Sequence, residues 1–305
     1  MNIKIPSSKY VIAVSGGVDS MVLLDILAKQ TKRSKPIAQD QNSLQLVVAH
    51  FNHGIRPQAA IDEEFVRQRA EQLKLPYEAG YGRLGAGASE EAARRARYGF
   101  LNSIKVKHDA LAVITAHHQD DMIETAFINM IRGTGRKGLV AISKNQAIIR
   151  PLLGWSKSEV LGYAAEHKLA WREDESNNDT DYLRNYIRLN VMPKLNAKKR
   201  RQIIDNLDKV AEIDLAIDSL ADDLSKDIYN GLVIDRTRFS GLPVAVADEL
   251  LTRWLRQLGS ADFDKTAITR LNTALRTAKA RTCHPVKRGL YVNIKKSSAS
   301  FHLTP

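Results

Sequence analysis

The run from Tyr10 to Leu27 constrains the fold more than any other part of the chain. An apolar segment, Tyr10-Val11-Ile12-Ala13-Val14, enters the turn Ser15-Gly16-Gly17-Val18-Asp19-Ser20 and then the amphipathic stretch Met21-Val22-Leu23-Leu24-Asp25-Ile26-Leu27. Strand, glycine-hydroxyl turn and helix in that order build a phosphate site. Gly16 and Gly17 let the backbone approach an anion with no Cβ in the way. Ser15 and Ser20 offer hydroxyls, and the helix presents unpaired N–H groups at the positive end of its dipole. A plain strand-closing turn accounts for the glycines and serines but not for Asp19. A carboxylate there suits a magnesium ion or a polarised water held beside phosphates. The expected ligand is a nucleotide polyphosphate.

No Lys follows the second glycine, so the turn departs from the common P-loop, G-x-x-x-x-G-K-[ST]. It resembles instead the S-G-G-x-D-S loop of ATP pyrophosphatases, which implies cleavage of ATP to AMP and pyrophosphate and activation of a substrate oxygen by adenylation.

Alternation of strand-like and helix-like segments continues through the first two-thirds of the chain. Leu44 to Ala49, Ala110 to Ala116 and the short Ala147 to Ile149 read as further strands. Helical periodicity fills Asp19 to Lys29, Ala60 to Leu73, Ser89 to Ile104 and Asp120 to Ile131. This order predicts an α/β, doubly wound, mostly parallel sheet, in which ligands sit beyond the carboxyl ends of the strands. Ser15, His50 and His117 each fall at such an end. Ser156 to His167 reads as a helix with a capping box from Ser156 to Glu159. Pro193 and Lys198-Lys199-Arg200-Arg201 mark a boundary, giving a catalytic domain over 1–200 and a smaller, mainly helical domain over 201–305. A long helix over Ile203 to Leu224 opens the second, and Gly289 to Ile294 alternates like a short strand.

With 305 residues, 44% hydrophobic and 26% charged, the chain can bury a core in each domain and is not disordered. No apolar run reaches membrane-spanning length and the N-terminus lacks a signal pattern, so no membrane role and a cytoplasmic location are expected. The single cysteine, Cys283, excludes an intrachain disulfide and any cysteine-cluster metal site. A net charge of +12 points to a polyanionic partner such as nucleic acid. From Lys265 onward there are nine Lys or Arg and no Asp or Glu, whereas Asp205 to Asp264 holds thirteen acids and six bases. A solvated basic face is the plainer reading. So long an acid-free stretch favours a surface for phosphate backbone.

Two further constellations carry chemistry. In Ala116-His117-His118-Gln119-Asp120-Asp121-Met122-Ile123-Glu124-Thr125, Asp121 and Glu124 are spaced to share a helical face. Such a pair can bind an ammonium group, take a proton from it, or hold magnesium; helix capping by Asp120 is the plainer alternative. Arg132-Gly133-Thr134-Gly135-Arg136-Lys137-Gly138 then ends the helix. A C-cap explains Gly133, and the three cations suit a triphosphate or RNA backbone. Arg94 and Arg97 share a face in the helix that begins near Ser89.

Together the Ser15 loop, His50-Phe51-Asn52-His53-Gly54-Ile55-Arg56, Glu90 through Arg94 to Arg97-Tyr98, the His117 run, Arg132-Gly133-Thr134-Gly135, Arg150-Pro151-Leu152-Leu153, Asp174-Glu175-Ser176-Asn177 and Arg184-Asn185 resemble the tRNA(Ile)-lysidine synthase family. The resemblance covers about Ile12 to Leu195. It implies an adenine nucleotide α-hydrolase-like PP-loop ATPase fold with a C-terminal tRNA-binding domain. The implied activity is a ligase that joins L-lysine to C2 of the wobble cytidine of the isoleucine tRNA with a CAU anticodon. ATP, with Mg held in part by Asp19, adenylates the cytidine, and AMP and pyrophosphate leave. Asp121, Glu124, Arg97 and His117 become the catalytic candidates, and Arg132, Arg136, Lys137, Arg184 and Arg188 the candidates for tRNA or phosphate contacts. A homodimer is left open. Longer family members carry a second C-terminal module, for which this sequence has no room. Three rivals remain: a tRNA thiolase sharing the loop, which needs cysteine chemistry; small-molecule amidating relatives, which have little use for a basic tail; and a non-catalytic RNA-binding relative, which would not need Asp19, Asp121 and Glu124.

Overall fold

The computed structural model describes residue 3 and residues 5–33, 43–54, 59–82, 90–144, 148–172, 183–259 and 263–303. Ile55-Arg56, residues 83–89, Ala147 and the Asp174-Glu175-Ser176-Asn177 motif lie outside the described residues, as does the Glu90 side chain. Two compact units divide at Ala211/Glu212. Among the described residues no helix is long and apolar enough to cross a membrane.

In the first unit the order is β1 (Lys9–Ala13), α1 (Val18–Arg33), β2 (Gln45–Asn52), α2 (Ala59–Leu73), β3 (Tyr77–Tyr81), α3 (Glu90–Lys107), β4 (Ala112–Ile114), α4 (Gln119–Ile131), α5 (Arg136–Leu139), α6 (Ala141–Lys144), β5 (Ile148–Ile149), α7 (Lys157–Glu166) and α8 (Leu183–Tyr186). A π-helical turn over Ile187–Val191 and a 3-10 turn over Met192–Lys194 lead into α9 (Ala197–Ile228). The strands form one sheet in the order β3-β2-β1-β4-β5, every pair parallel. This is the doubly wound order expected from the sequence, with the reversal beside β1 that opens a ligand crevice. Side chains alternate across β1. Tyr10 and Ile12 pack with Leu23, Leu24, Leu27, Val66 and Val160 of α1, α2 and α7 on one face, while Val11 packs with Leu101 and Ile104 of α3 on the other. Burial on both faces explains why β1 reads as an unbroken apolar run.

Strand β3 is absent from the sequence reading. Its Tyr77-Glu78-Ala79-Gly80-Tyr81 is an edge strand with a charge and a glycine inside it. Gly80 is there because Phe100 of α3 packs over it, 2.4 Å from where a Cβ would stand. Pairing with β3 also carries β2 on to Asn52, so His50 lies within a strand and not beyond its end.

Helix α4 ends at Arg132 with Gly133 left-handed at φ 68°. The Thr134 N–H donates to Asn129 O and the Gly133 N–H to Met130 O, the paired closure that a glycine in this position makes possible. The Ser156–Glu159 capping box on α7 is present as expected.

The second unit contains the rest of α9, then β6 (Val233–Asp235), α10 (Arg236–Ser240), α11 (Val244–Gln257), α12 (Lys265–Thr277), β7 (Thr282–Lys287), β8 (Leu290–Ile294) and β9 (Ser298–Leu303). Its antiparallel sheet runs β6-β9-β8-β7. One sheet face, with Leu290, Val292, Ile294, Ala299 and Phe301, packs with Leu250, Trp254, Leu271 and Leu275 of α11 and α12. Only β8 was visible in the sequence, because β7 contains Pro285 and β9 alternates small polar residues with its two buried ones. Helix α9 passes straight through the expected boundary at Lys198 to Arg201, since no Gly or Pro interrupts Ala197 to Ile228.

Candidate functional site

A cleft of about 460 Å³ opens at the carboxyl ends of the central strands, lined among others by Ser15, Asp19, His50, Arg97, His117 and Asp121. That volume suits a small-molecule ligand. The turn after β1 forms its floor. Gly16 sits at φ 93°, a conformation that favours glycine. The Ser20 hydroxyl, buried, donates to Gly17 O at 2.9 Å and lies 3.3 Å from the Ser15 hydroxyl, so the loop is closed upon itself before any anion arrives. The Arg172 N–H donates to Gly16 O at 3.0 Å, and its guanidinium pairs with Asp62 at 2.7 Å. Arg172 thus ties the loop to Asp62 of α2, a contact no sequence pattern announces.

Asp19 opens α1. Lys157, the first residue of α7, donates to its Oδ1 at 2.6 Å, and His118 Nε2 lies 3.6 Å from the same atom. Burial works to raise the Asp19 pKa, but the His118 and Lys157 contacts outweigh it and hold the carboxyl down at about 2. Asp19 is ionised, and its Oδ2 is left for a hard cation. Among the described residues no three His, Cys, Asp or Glu side chains converge as a metal cage. Magnesium commonly takes one or two carboxylates plus phosphate oxygens, so Asp19 with a bound polyphosphate fits it.

His118 connects this loop to α4. It is the helix N-cap: its Nδ1 accepts from the Asp120 N–H at 3.2 Å, while Asp121 Oδ2 accepts from the His118 N–H at 2.9 Å. The cap expected at Asp120 is therefore two residues earlier, a histidine-aspartate box. His118 Nε2 stands 3.6 Å from Asp121 Oδ2 as well as from Asp19. Burial opposes charge on this imidazole, and the two carboxylates outweigh it and raise its pKa. The bond at Nδ1 needs a lone pair, so Nε2 carries the proton toward the carboxylates.

Of the expected carboxylate pair, only Asp121 lines the cleft. Glu124, 2% exposed, accepts from both Nε and Nη2 of Arg188 at 2.8 Å. Burial raises the Glu124 pKa against the pull of Arg188. Arg188, expected as an RNA contact, is drawn inward by the π-helical turn, and its Nη2 also lies 3.6 Å from Asp121 Oδ1. Arg132 is exposed at the end of α4, Arg136 and Lys137 are half-buried on α5, and Arg184 is half-exposed on α8. None of these four lines the cleft.

His117 does line it, and its Nδ1 lies 2.8 Å from Thr115 Oγ1. Burial pushes its pKa down to about 4; Asp121 opposes, and Arg150, Arg97 and Arg94 add to the fall. The imidazole is neutral at pH 7. Arg97 faces the cleft from α3, and Arg97 and Arg94 lie 5.3 and 4.9 Å from the Tyr98 ring centre. Burial lowers the Arg97 pKa, Tyr98 opposes, and Arg94 and Arg184 contribute through like charge. A cleft with ionised Asp19, neutral His117 and the Arg97 guanidinium suits an anion and an amine together.

Residues 2–195 match the PP-loop domain family. The chain is 38% identical over 200 residues to the tRNA(Ile)-lysidine synthase of Geobacter sulfurreducens, covering 62% of this chain and 41% of that protein. It is 32% identical over 272 residues to that of Pseudomonas fluorescens, covering 83% and 59%. The chain thus spans about half the length of the curated relatives it matches. Among solved structures, the U34-tRNA thiolase NcsA from Methanococcus maripaludis with its 4Fe-4S cluster aligns at a TM-score of 0.52 and 19% identity, covering 69% of this chain and 74% of that one; this likeness concerns the fold. With its glycine turn, its parallel sheet and this match over most of its length, the chain belongs to the PP-loop family, in which the two curated relatives named above are tRNA(Ile)-lysidine synthases.

Proposed function

We propose that the protein is a tRNA(Ile)-lysidine synthase, joining L-lysine to C2 of the wobble cytidine in the isoleucine tRNA with a CAU anticodon. The observation that carries this reading is the Asp19–His118–Asp121 chain: Asp19 of the glycine turn and Asp121, a carboxylate able to bind an amine, line one cleft. The Ser15 to Ser20 turn and the N-terminus of α1 hold the ATP phosphates. Cytidine O2 attacks the α-phosphate, and pyrophosphate departs. Magnesium, when bound at Asp19, neutralises phosphate charge.

Asp121 receives the ε-ammonium of lysine. The ammonium must lose a proton before its nitrogen can attack C2, and His117, neutral at pH 7 in the same cleft, adds no positive charge that would repel it. Attack expels AMP from C2. Arg97 places the phosphate or the base. Glu124 acts through Arg188, setting the guanidinium against Asp121. Acting on tRNA, such an enzyme works in the cytoplasm.

The thiolase chemistry of the structural neighbour has no counterpart here, because sulfur delivery or a cluster needs cysteine and Cys283 is the one cysteine of the sequence, exposed on β7 of the second unit. Incubation with ATP, magnesium, labelled lysine and the CAU-anticodon isoleucine tRNA should transfer label to RNA and release AMP. Absence of both products would sink the synthase reading. The same assay with methionine tRNA, which shares the anticodon, measures discrimination.

A further inference from the structure

We propose that the outward face of the C-terminal sheet is a stacking platform on which Tyr291 and His302 receive an unpaired base of the RNA. This rests on the tRNA-substrate reading above and adds to it a place and a mode of contact. Tyr291 of β8 and His302 of β9 are directly paired across the ladder, and their rings stack with centres 5.6 Å apart and planes 26° from parallel. Alternate residues of the same strands, Leu290, Val292, Ile294, Ala299 and Phe301, are buried in the core of the unit, so the ring pair lies on the opposite face and is half-exposed.

Cross-strand ring pairs also stabilise sheets, and that is the plainer account. Two observations go against it. His302 Nδ1 is buried without a hydrogen-bond partner, a cost that an apolar residue at this position would avoid. The neighbouring outward positions carry no large side chain: exposed Pro285 of β7 pairs with Tyr291, and further along Cys283 opposes Asn293, which opposes Ser300.

Charge selects the occupant. Lys287 and Arg288 lie at the β7–β8 turn beside Tyr291, and exposed Lys295 and Lys296 at the β8–β9 turn. The sequence from Lys265 onward holds no acid, and Asp235 of β6, which opposes Ser298 at one end of the sheet, pairs with Arg238. Flat aromatic area between two groups of cations is the arrangement that holds single-stranded nucleic acid, with the base on the rings and the phosphates on the cations. A duplex hides its base faces and can use only the cations.

The test uses the whole chain and two probes, the CAU-anticodon isoleucine tRNA and a blunt RNA duplex, with dissociation constants measured across a salt series. Tyr291→Ala should weaken tRNA binding by about 5- to 150-fold, the loss of one stacked base, with the salt slope and the duplex affinity unchanged. Tyr291→Phe should bind tRNA like the parent protein. His302→Gln, which removes the ring but keeps a polar side chain of similar size, gives the same reading should Tyr291→Ala lower the melting temperature. Lys295→Ala with Lys296→Ala should instead flatten the salt slope for both probes. Unchanged tRNA affinity in the ring variants, or equal loss for tRNA and duplex, overturns the platform. A parent protein that binds neither probe would overturn the tRNA-substrate reading itself.

Discussion

Arg188 donates two parallel hydrogen bonds to Glu124, both at 2.8 Å, and this pair separates two carboxylates that the sequence left equivalent. Glu124→Ala would leave a guanidinium facing a buried gap. It should cost about 3 kcal/mol in urea denaturation, below the upper end for buried pairs because Arg188 is 37% exposed at its side chain. Asp121→Ala should cost only about 1 kcal/mol, for its half of the helix cap, yet stop lysine transfer. Equal stability losses in the two variants would contradict this division.

Asp19 is held ionised at about 2 by neighbours on two other elements, Lys157 and His118. Asp19→Ala should reduce AMP and pyrophosphate formation by at least about a hundredfold, the scale for loss of a charge aimed at a reacting phosphate. Circular dichroism should be unchanged. AMP release at the parental rate would refute the role.

The His117 imidazole takes up its proton near 6.5 when the chain is unfolded and only near 4 when it is folded. The unfolded state therefore binds more protons between those values, and stability falls as pH drops from about 6.5 to 4, by roughly 3 kcal/mol for this group. His117→Asn should remove that part of the pH dependence, visible in denaturation midpoints at pH 7 and pH 4.5. His118, shifted upward, acts in the opposite sense and is common to both proteins.

Arg200 belongs to a cluster that reads as a domain boundary, but its side chain turns in to Asp120 and to the carbonyls of Leu195 and Met192 at 3.0 and 2.8 Å. Arg200→Ala should lower stability by about 3 kcal/mol, because it strands the Asp120 carboxylate. Lys198→Ala, on the same helix, should change it by less than about 0.5 kcal/mol. Urea midpoints at constant slope decide between them.

Local chemistry written along the chain was legible: the Ser15 to Ser20 turn, the unbroken apolar strands, the Gly133 helix end and the Ser156 cap each depend on residues close in sequence. Edge strand β3 and hairpin strands β7 and β9 were not, since their stability comes from partners that cover or pair with them. Gly80 reads as a strand breaker until Phe100 is placed over it. The same division runs through the site. That a phosphate loop and a carboxylate-bearing helix follow strands of one sheet is written in the order of the residues. Which side chain faces the cleft is set by the folded packing, because Lys157, Arg172 and Arg188 reach Asp19, the loop and Glu124 from segments far along the chain, and ion pairs form by distance in space, not by spacing in sequence.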